Sequence, residues 1–455
     1  MDTFDDHCRN GDGAPPAAAP HRQLTQFFAP LALQATAQAF SHPLVAMVAS
    51  RGYGGPLNLA GLAQSGTVMF FLGIFAVYYM TTGMVFAKTR EGYQTFWQVC
   101  LWTGMGITLL QTLLCIPAPA HLLFGKMIGL PPSIEQPAQI TLLAAVPLQL
   151  LFFLRIPYQV ALYNGRATGR ASLATLGRIL LTAFLSAVFC VAGWIGPIWA
   201  VVCLSIPVLL EVLISIRFSR PFRRRLLPAV AKPPSAGEIF FFNLPLAVGG
   251  IFLVLSVLIL SAFIARAPEP ERILPVFFLA VSLANPVAYA ATRIQAVVLA
   301  FPPPGHTERM TLRFALAAGA VLGLLPLLFI LPGLKPLYYV TLQKLNPADL
   351  GLVTVTAASL AAFPFAVALR AHSEGMAAWQ KKPMAVLVGH GLYMTGVVLS
   401  GFLALVLNVP GYLIGAISLT LANLISAGII RAVLQRVQQR NLPVGQTTTA
   451  VAQMR

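Results

Sequence analysis

Three polar side chains, Gln34, Gln38 and His42, recur at i, i+4 and i+8 in the otherwise apolar stretch FFAPLALQATAQAFSHPLVAMVAS, which runs from Phe27 to Ser50. In a helix that spacing stacks them on one face. Two amides and an imidazole can hydrogen-bond a solute, and the imidazole titrates near neutral pH. Pro43 stands beside them in mid-span. It removes a backbone hydrogen bond there and so predicts a helix bend. Such a stripe either faces a wet cavity or bonds a neighbouring helix.

Further ionisable residues stand inside apolar runs, where a charge is costly and marks a candidate site. Arg178 and Glu211 lie equally far from a tight turn at Trp194 and Ile195, so an antiparallel hairpin brings them to the same depth. They read either as a buried ion pair holding the hairpin or as a proton-coupling site. Glu211 is the one acid expected well inside a span. Arg293 continues a face carrying Tyr289 and Asn285 at i−4 and i−8, which is either interfacial or part of a cavity wall. Tyr78, near Tyr79, Thr81 and Thr82, fits a wet neighbour in the second span. Arg155 and Arg370, near the ends of their spans, are expected to snorkel to the interface and to fix helix junctions. Arg370 also has Glu374 at i+4.

The elements that position these residues follow from composition. The chain has 455 residues, 57% hydrophobic and only 9% charged. Soluble domains carry about 25% charged residues, so a soluble core of this size is excluded. Apolar runs of about 20 residues, the length of a membrane-spanning helix, recur nearly end to end. Twelve spans are expected, at 24–50, 57–87, 93–117, 138–163, 169–193, 197–218, 238–265, 273–300, 310–333, 348–370, 383–408 and 411–434. The fold class is an all-α polytopic membrane protein.

A net charge of +17 would suggest nucleic acid for a soluble protein, but here basic residues mark cytoplasmic loops. Most of the 30 lysines and arginines fall on the side that holds both termini. The expected location is therefore the cell's inner (plasma) membrane, multi-pass, with both termini cytoplasmic. The five cysteines show no metal or redox spacing. The start of the chain lacks the pattern of a removable signal peptide.

The basic, proline-rich stretch 219–236 divides the spans six and six. Pro30-Leu31-Ala32 and Pro245-Leu246-Ala247 repeat across it at an offset of 215 residues, as do Leu154-Arg155 and Leu369-Arg370. Six spans per half is even, so the halves are parallel repeats. The expected organisation is a disordered cytoplasmic tail at 1–23, a six-helix lobe at 24–218, a cytoplasmic linker at 219–236, a second six-helix lobe at 237–434 and a tail at 435–455.

The stretch LRIPYQVALYNGRATGRASLATLGRI, with Leu154, Arg155, Gln159, Gly165, Arg166 and Thr168, resembles the fourth-to-fifth helix junction of the multidrug-and-toxin-extrusion transporters. Their superfamily also contains lipid-linked oligosaccharide flippases. Phe27, Pro30-Leu31-Ala32 and Ser41-His42-Pro43 are more similar to its branch related to the progressive-ankylosis membrane protein. The resemblance implies two bundles meeting in a V around a cavity that opens alternately to either side. It puts Gln159 with Arg155 at the helix junction.

The expected function is a secondary-active exporter or flippase of a small organic solute, an anion among the options, or of a lipid-linked one. Coupling to a proton or Na+ is open. A cation-coupled multidrug antiporter is the alternative, and a lipid-modifying transferase is the alternative of another class. Paired intramembrane acids, metal-ligand motifs and a Walker A motif are absent from the sequence. No catalytic residue, metal, cofactor or nucleic acid is expected, and the partners are membrane lipid and the solute. A monomer is expected.

Overall fold

The computed structural model describes residues 21–38, 41–52, 55–229, 232–264, 266–302, 306–343 and 345–440. Without water, each backbone amide must bond within its own segment, so apolar runs of this length fold as helices. The first half comprises α1 (His21–Gln38), α2 (Ser41–Ser50), α3 (Pro56–Leu72), α4 (Ile74–Phe86), α5 (Arg90–Leu114), α6 (Pro117–His121), α7 (Pro132–Ala144), α8 (Val146–Asn164), α9 (Thr168–Ala192) and α10 (Pro197–Arg224). The second comprises α11 (Ala236–Ile264), α12 (Pro270–Ala291), α13 (Ile294–Ala300), α14 (His306–Leu324), α15 (Leu350–Ser359), α16 (Ala362–Trp379), α17 (Pro383–Val406) and α18 (Gly411–Arg440). Among the described residues there is no strand.

Among the described residues ten helices are long and apolar enough to cross a membrane, and α5 with Pro117–Met127, bent by 83°, makes an eleventh if the pair is one span. Within the first expected span, α1 is described as far as Gln38 and α2 from Ser41. Pro43 falls in the first turn of α2, where its missing N–H leaves no helical bond unmade. Ala39 and Phe40 themselves, and the side chains of His42 and Pro43, lie outside the described residues. So do residues 1–20 of the expected tail.

The offset of 215 extends to the helix boundaries. Thr168 opens α9 and Pro383 opens α17, while single-turn π segments stand at Leu122–Met127 and Pro336–Leu342. Left-handed residues repeat as well: Arg166 (φ 53°) with Lys381 (φ 55°), and Gly193 (φ 74°) with Asn408 (φ 53°). A non-glycine residue with positive φ is uncommon, so two repeated helix exits are strong marks of duplication.

The lobes touch mainly through α1 against α12, and α4 against α11. In contrast α2 and α3 pack on α9, α10 and α7 of their own lobe. The lobes thus meet at the end carrying the basic loops and diverge towards the other.

At the closed end the contacts are reciprocal. The Arg166 guanidinium lies 4.3 Å above the Phe301 ring, and Phe301 meets Phe27 edge-on at 5.6 Å. The Lys381 ammonium lies 4.5 Å from the Phe86 ring, and Phe86 meets Phe242 edge-on at 5.1 Å. Each residue of one triple stands 215 positions from its counterpart in the other. Each cation reaches from its own lobe onto a phenylalanine of the opposite lobe.

Candidate functional site

Each lobe buries one polar node around its junction arginine. In the first lobe, the Glu211 carboxylate of α10 is fully buried. It accepts hydrogen bonds from Arg155 Nη1 at 2.9 Å, Gln159 Nε2 at 3.1 Å and the Thr175 hydroxyl at 2.5 Å. Arg178 Nε is 3.5 Å away. Three helices are joined through one carboxylate. Gln34 Nε2 donates to Thr175 Oγ1 at 2.8 Å, and the Tyr163 hydroxyl donates to Gln34 Oε1 at 3.4 Å.

Arg178 and Glu211 therefore come together. Arg155, with Gln159, does not snorkel to the interface as expected; it turns inward, because the buried carboxylate attracts it more strongly than the distant headgroups. Gln34 is 2% exposed and bonds inside its own lobe, so it does not line the space between lobes. Gln38 is half-buried at the end of α1. His42, the third residue of the expected stripe, has its side chain outside the described residues.

The second lobe repeats the node with different residues. Adding 215 maps Arg155, Gln159, Thr175 and Arg178 onto Arg370, Glu374, His390 and Tyr393. Glu374 Oε1 is 2.7 Å from His390 Nε2 and 3.4 Å from Arg370 Nε. The Arg370 guanidinium lies 5.6 Å from the centre of the Tyr393 ring. Glu211 is thus not the only deep acid. Glu374 is equally interior, because α16 runs on to Trp379 rather than ending near residue 370. Arg370 is buried here rather than at the interface.

The carboxylate has changed helices between the copies. Position 426, equivalent to Glu211, is Ser426, while position 159, equivalent to Glu374, is Gln159. The first helix compensates in size. Gln34 fills the place beside Thr175, whereas its counterpart Gly249 leaves room for the larger His390. A Cβ on Gly249 would stand 2.7 Å from His390 Nδ1. Gly249→Ala is expected to push the imidazole off Glu374 and destabilise the protein by about 1–3 kcal/mol, as overpacking does. Thermal unfolding of the purified variant checks this, and an unchanged melting temperature would contradict the packing.

Between the lobes, Arg293 lies at the turn joining α12 to α13, and its guanidinium sits 5.2 Å from the centre of the Tyr289 ring. Helices α12 and α13 pack there on α1, and α13 also on α8, of the first lobe. Asn285 and Tyr289 are exposed on α12, whereas Tyr78 is buried. Tyr78 packs against Gly250 of α11 in the second lobe. Tyr78, Tyr289 and Arg293 therefore lie on or beside helices that pack across the lobe boundary, and Gln34 belongs to a node itself.

Tyr163, Thr175, His390 and Tyr393 were not singled out from sequence. The repeat held the signal for one of them, since transferring Arg178 by 215 leads to Tyr393. Among the described residues no three His, Cys, Asp or Glu side chains converge as metal ligands.

No protein-family model matches the sequence, and no curated protein matches it. Solved structures do. A multidrug resistance MATE family transporter of the MOP superfamily, in an outward-facing conformation, superposes with a TM-score of 0.72 at 14% identity, covering 92% of this chain and 97% of that one. The eukaryotic MATE transporter AtDTX14 gives 0.66 at 15% identity, over 91% and 95% of the two chains. A MOP superfamily transporter from Pyrococcus furiosus, described as having a binding pocket of reversed polarity, gives 0.69 at 15% identity over 92% and 97%. The chain therefore has the two-lobed fold of the MATE transporters of the MOP superfamily.

Proposed function

We propose that this protein is a secondary-active membrane exporter or flippase that works by alternating access and moves a small organic anion or a lipid-linked anionic solute. The observation that carries the reading is the excess of guanidinium around the approach to the first lobe's node. Arg155 and Arg178 stand against the single carboxylate of Glu211, and Arg293 adds a third guanidinium at the turn between α12 and α13, which pack on α1 and α8 of the first lobe. Arg293 forms no ion pair among the described residues, and its Nε has no hydrogen-bond partner. A guanidinium in a low-dielectric site with open donors favours a carboxylate or phosphate, which it can engage through two parallel bonds. The reversed-polarity pocket described for the Pyrococcus furiosus protein is consistent with an anion-selective member of the same fold.

Rocking of the two lobes about the reciprocal contacts at the closed end supplies the access change. The closed end is the cytoplasmic one, both termini are cytoplasmic, and the protein works as a monomer in the inner membrane. Divided at the linker 219–236, the two lobes move as units.

The cation-coupled antiporter reading has one observation in its favour: Glu374 and His390 form a buried carboxylate–imidazole pair that can take up and release a proton. Under this combined reading an anion and a proton share one cycle. An intramembrane transferase fits less well, since such chemistry needs converging acids or metal ligands. Glu211 and Glu374 instead lie in separate lobes, each held by its own arginine.

Proteoliposomes test the reading. Counterflow of labelled organic anions is expected, with uptake of organic cations much slower. Arg293→Gln is expected to lower anion transport about tenfold, the equivalent of one lost charge-assisted contact. Transport of cations alone, or a chemically altered product in place of a relocated solute, would overturn it.

A further inference from the structure

Away from the space between the lobes, two cavities adjoin on the flank of the first lobe at its basic end. One, of about 420 Å³, is lined by Arg90, Arg220, Arg223, Arg224 and Leu226. The other, of about 570 Å³, is lined by Tyr93, Gln94, Trp97, Gln98 and Tyr158, and again by Arg223. The shared guanidinium lies 5.1 Å from the centre of the Tyr158 ring, and its Nη2 donates to the Ile216 carbonyl at 3.4 Å.

The basic cavity is a built feature rather than a loose run of charge. The Arg90 N–H donates to the Leu227 carbonyl at 2.9 Å, and the Ala229 N–H donates to Glu91 Oε2 at 2.7 Å. These two bonds strap the start of the basic linker onto α5 and close one wall with Leu226. Glu91, the nearest acid in sequence, is committed to that strap. None of the four lining arginines forms an ion pair among the described residues. Four like charges around one cavity repel each other, and a bound anion relieves that cost.

The second cavity says which kind of anion. Arg90, Gln94, Trp97 and Gln98 fall at i, i+4, i+7 and i+8 of α5, one face of the helix. At 1.5 Å per residue this face descends about 12 Å from Arg90 to Gln98. That distance runs from headgroup level into the upper hydrocarbon of a bilayer. Amide and phenol groups at this depth suit ester carbonyls, and Trp97, whose Nε1 donates to the Tyr158 hydroxyl at 3.4 Å, suits the interface. Inorganic phosphate would fill the first cavity and leave the second without a function.

We propose that the two cavities together form a binding site for one anionic phospholipid, with its phosphate among Arg90, Arg220, Arg223 and Arg224 and its ester region along Gln94, Gln98 and Tyr158. The site lies outside the transport path and is independent of the transported solute. Lipid held there pins α5, α8, α10 and the linker at the basic end.

Native mass spectrometry and thermal unfolding of the full chain in neutral detergent test this, with phosphatidylglycerol and phosphatidylcholine added separately. Selective retention of one phosphatidylglycerol, with a raised melting temperature, is expected. Arg220→Gln with Arg224→Gln is expected to weaken retention about 25-fold, at roughly fivefold per basic residue. The charge-matched control Arg217→Gln with Arg225→Gln, outside the cavity, should retain the lipid as the parent does. Inorganic phosphate and glycerol 3-phosphate should not reproduce the stabilisation. Equal retention of the two lipids, equal weakening by both variant pairs, or full stabilisation by inorganic phosphate would each overturn the proposal. The lipid comparison on the unaltered chain decides the matter even if a variant does not fold.

Discussion

Glu211→Ala is expected to be the most damaging single substitution in the chain. It leaves Arg155 and Arg178 facing each other in a buried site with no carboxylate between them. Breaking a buried ion pair from one side costs about 3–5 kcal/mol, because the remaining charge stays desolvated. Here two charges remain, while Gln159 and Thr175 lose their shared acceptor. Glu211→Gln should be milder, since an amide oxygen still accepts from Thr175. Glu374→Ala should also cost less than Glu211→Ala, because it leaves one arginine, Arg370, without its carboxylate where Glu211→Ala leaves two. Thermal unfolding of the three purified variants gives the order directly. A melting temperature for Glu211→Ala near that of the parent would mean that the node is not under electrostatic load.

Phe86→Ala combined with Phe301→Ala is expected to unlock the closed end. Each phenylalanine carries one edge-on aromatic contact and one cation above its ring. An aromatic pair contributes about 0.5–1.5 kcal/mol and a cation–π contact about 0.5–1. Removing both centres therefore withdraws about 2–5 kcal/mol from this state, and 2.7 kcal/mol is already about a hundredfold in population. Spin labels at Arg170 and Arg309, both exposed near the basic loops of opposite lobes, report the change in a cysteine-free background. The distance distribution should shift to longer values, with little change in melting temperature. A distribution matching the parent would show that other contacts hold the end closed.

Much of the architecture was legible because hydropathy and duplication are properties of sequence alone. The offset read from Pro30-Leu31-Ala32 and Leu154-Arg155 reappears in the π segments and in the left-handed exits at Arg166 and Lys381. The site was less legible, because depth along a helix does not give the direction of a side chain. Arg155 was expected at the interface and is drawn instead to Glu211. The tenth span was ended too early because His372, Ser373 and Glu374 look like a loop. They stay in the buried helix because each finds a partner: Thr311 at 3.1 Å, Arg431 at 3.1 Å and His390 at 2.7 Å. Polarity ends a span only where it lacks a partner. The i, i+4, i+8 reading of His42 turns on residues 39 and 40 and on the His42 side chain, which lie outside the described residues.

The distribution of bond strengths has a mechanical consequence. Both polar nodes are confined within a lobe, whereas the lobes are joined by apolar packing of α1 on α12 and α4 on α11 and by ring-edge and cation–ring contacts. Hydrogen bonds from Thr82 to Asn243 at 2.8 Å, Asn243 to the Phe75 carbonyl at 3.3 Å and Arg166 to the Ala300 carbonyl at 3.2 Å join them as well. Each lobe is then a stiff lever, and the contacts between them are a compliant bearing. Motion concentrates where the restoring forces are small, so tilting the levers leaves the nodes undeformed. Under the proposed alternating access, the height of the barrier between access states is set at the bearing, and substitutions there tune it without disturbing the charges that hold each lever rigid.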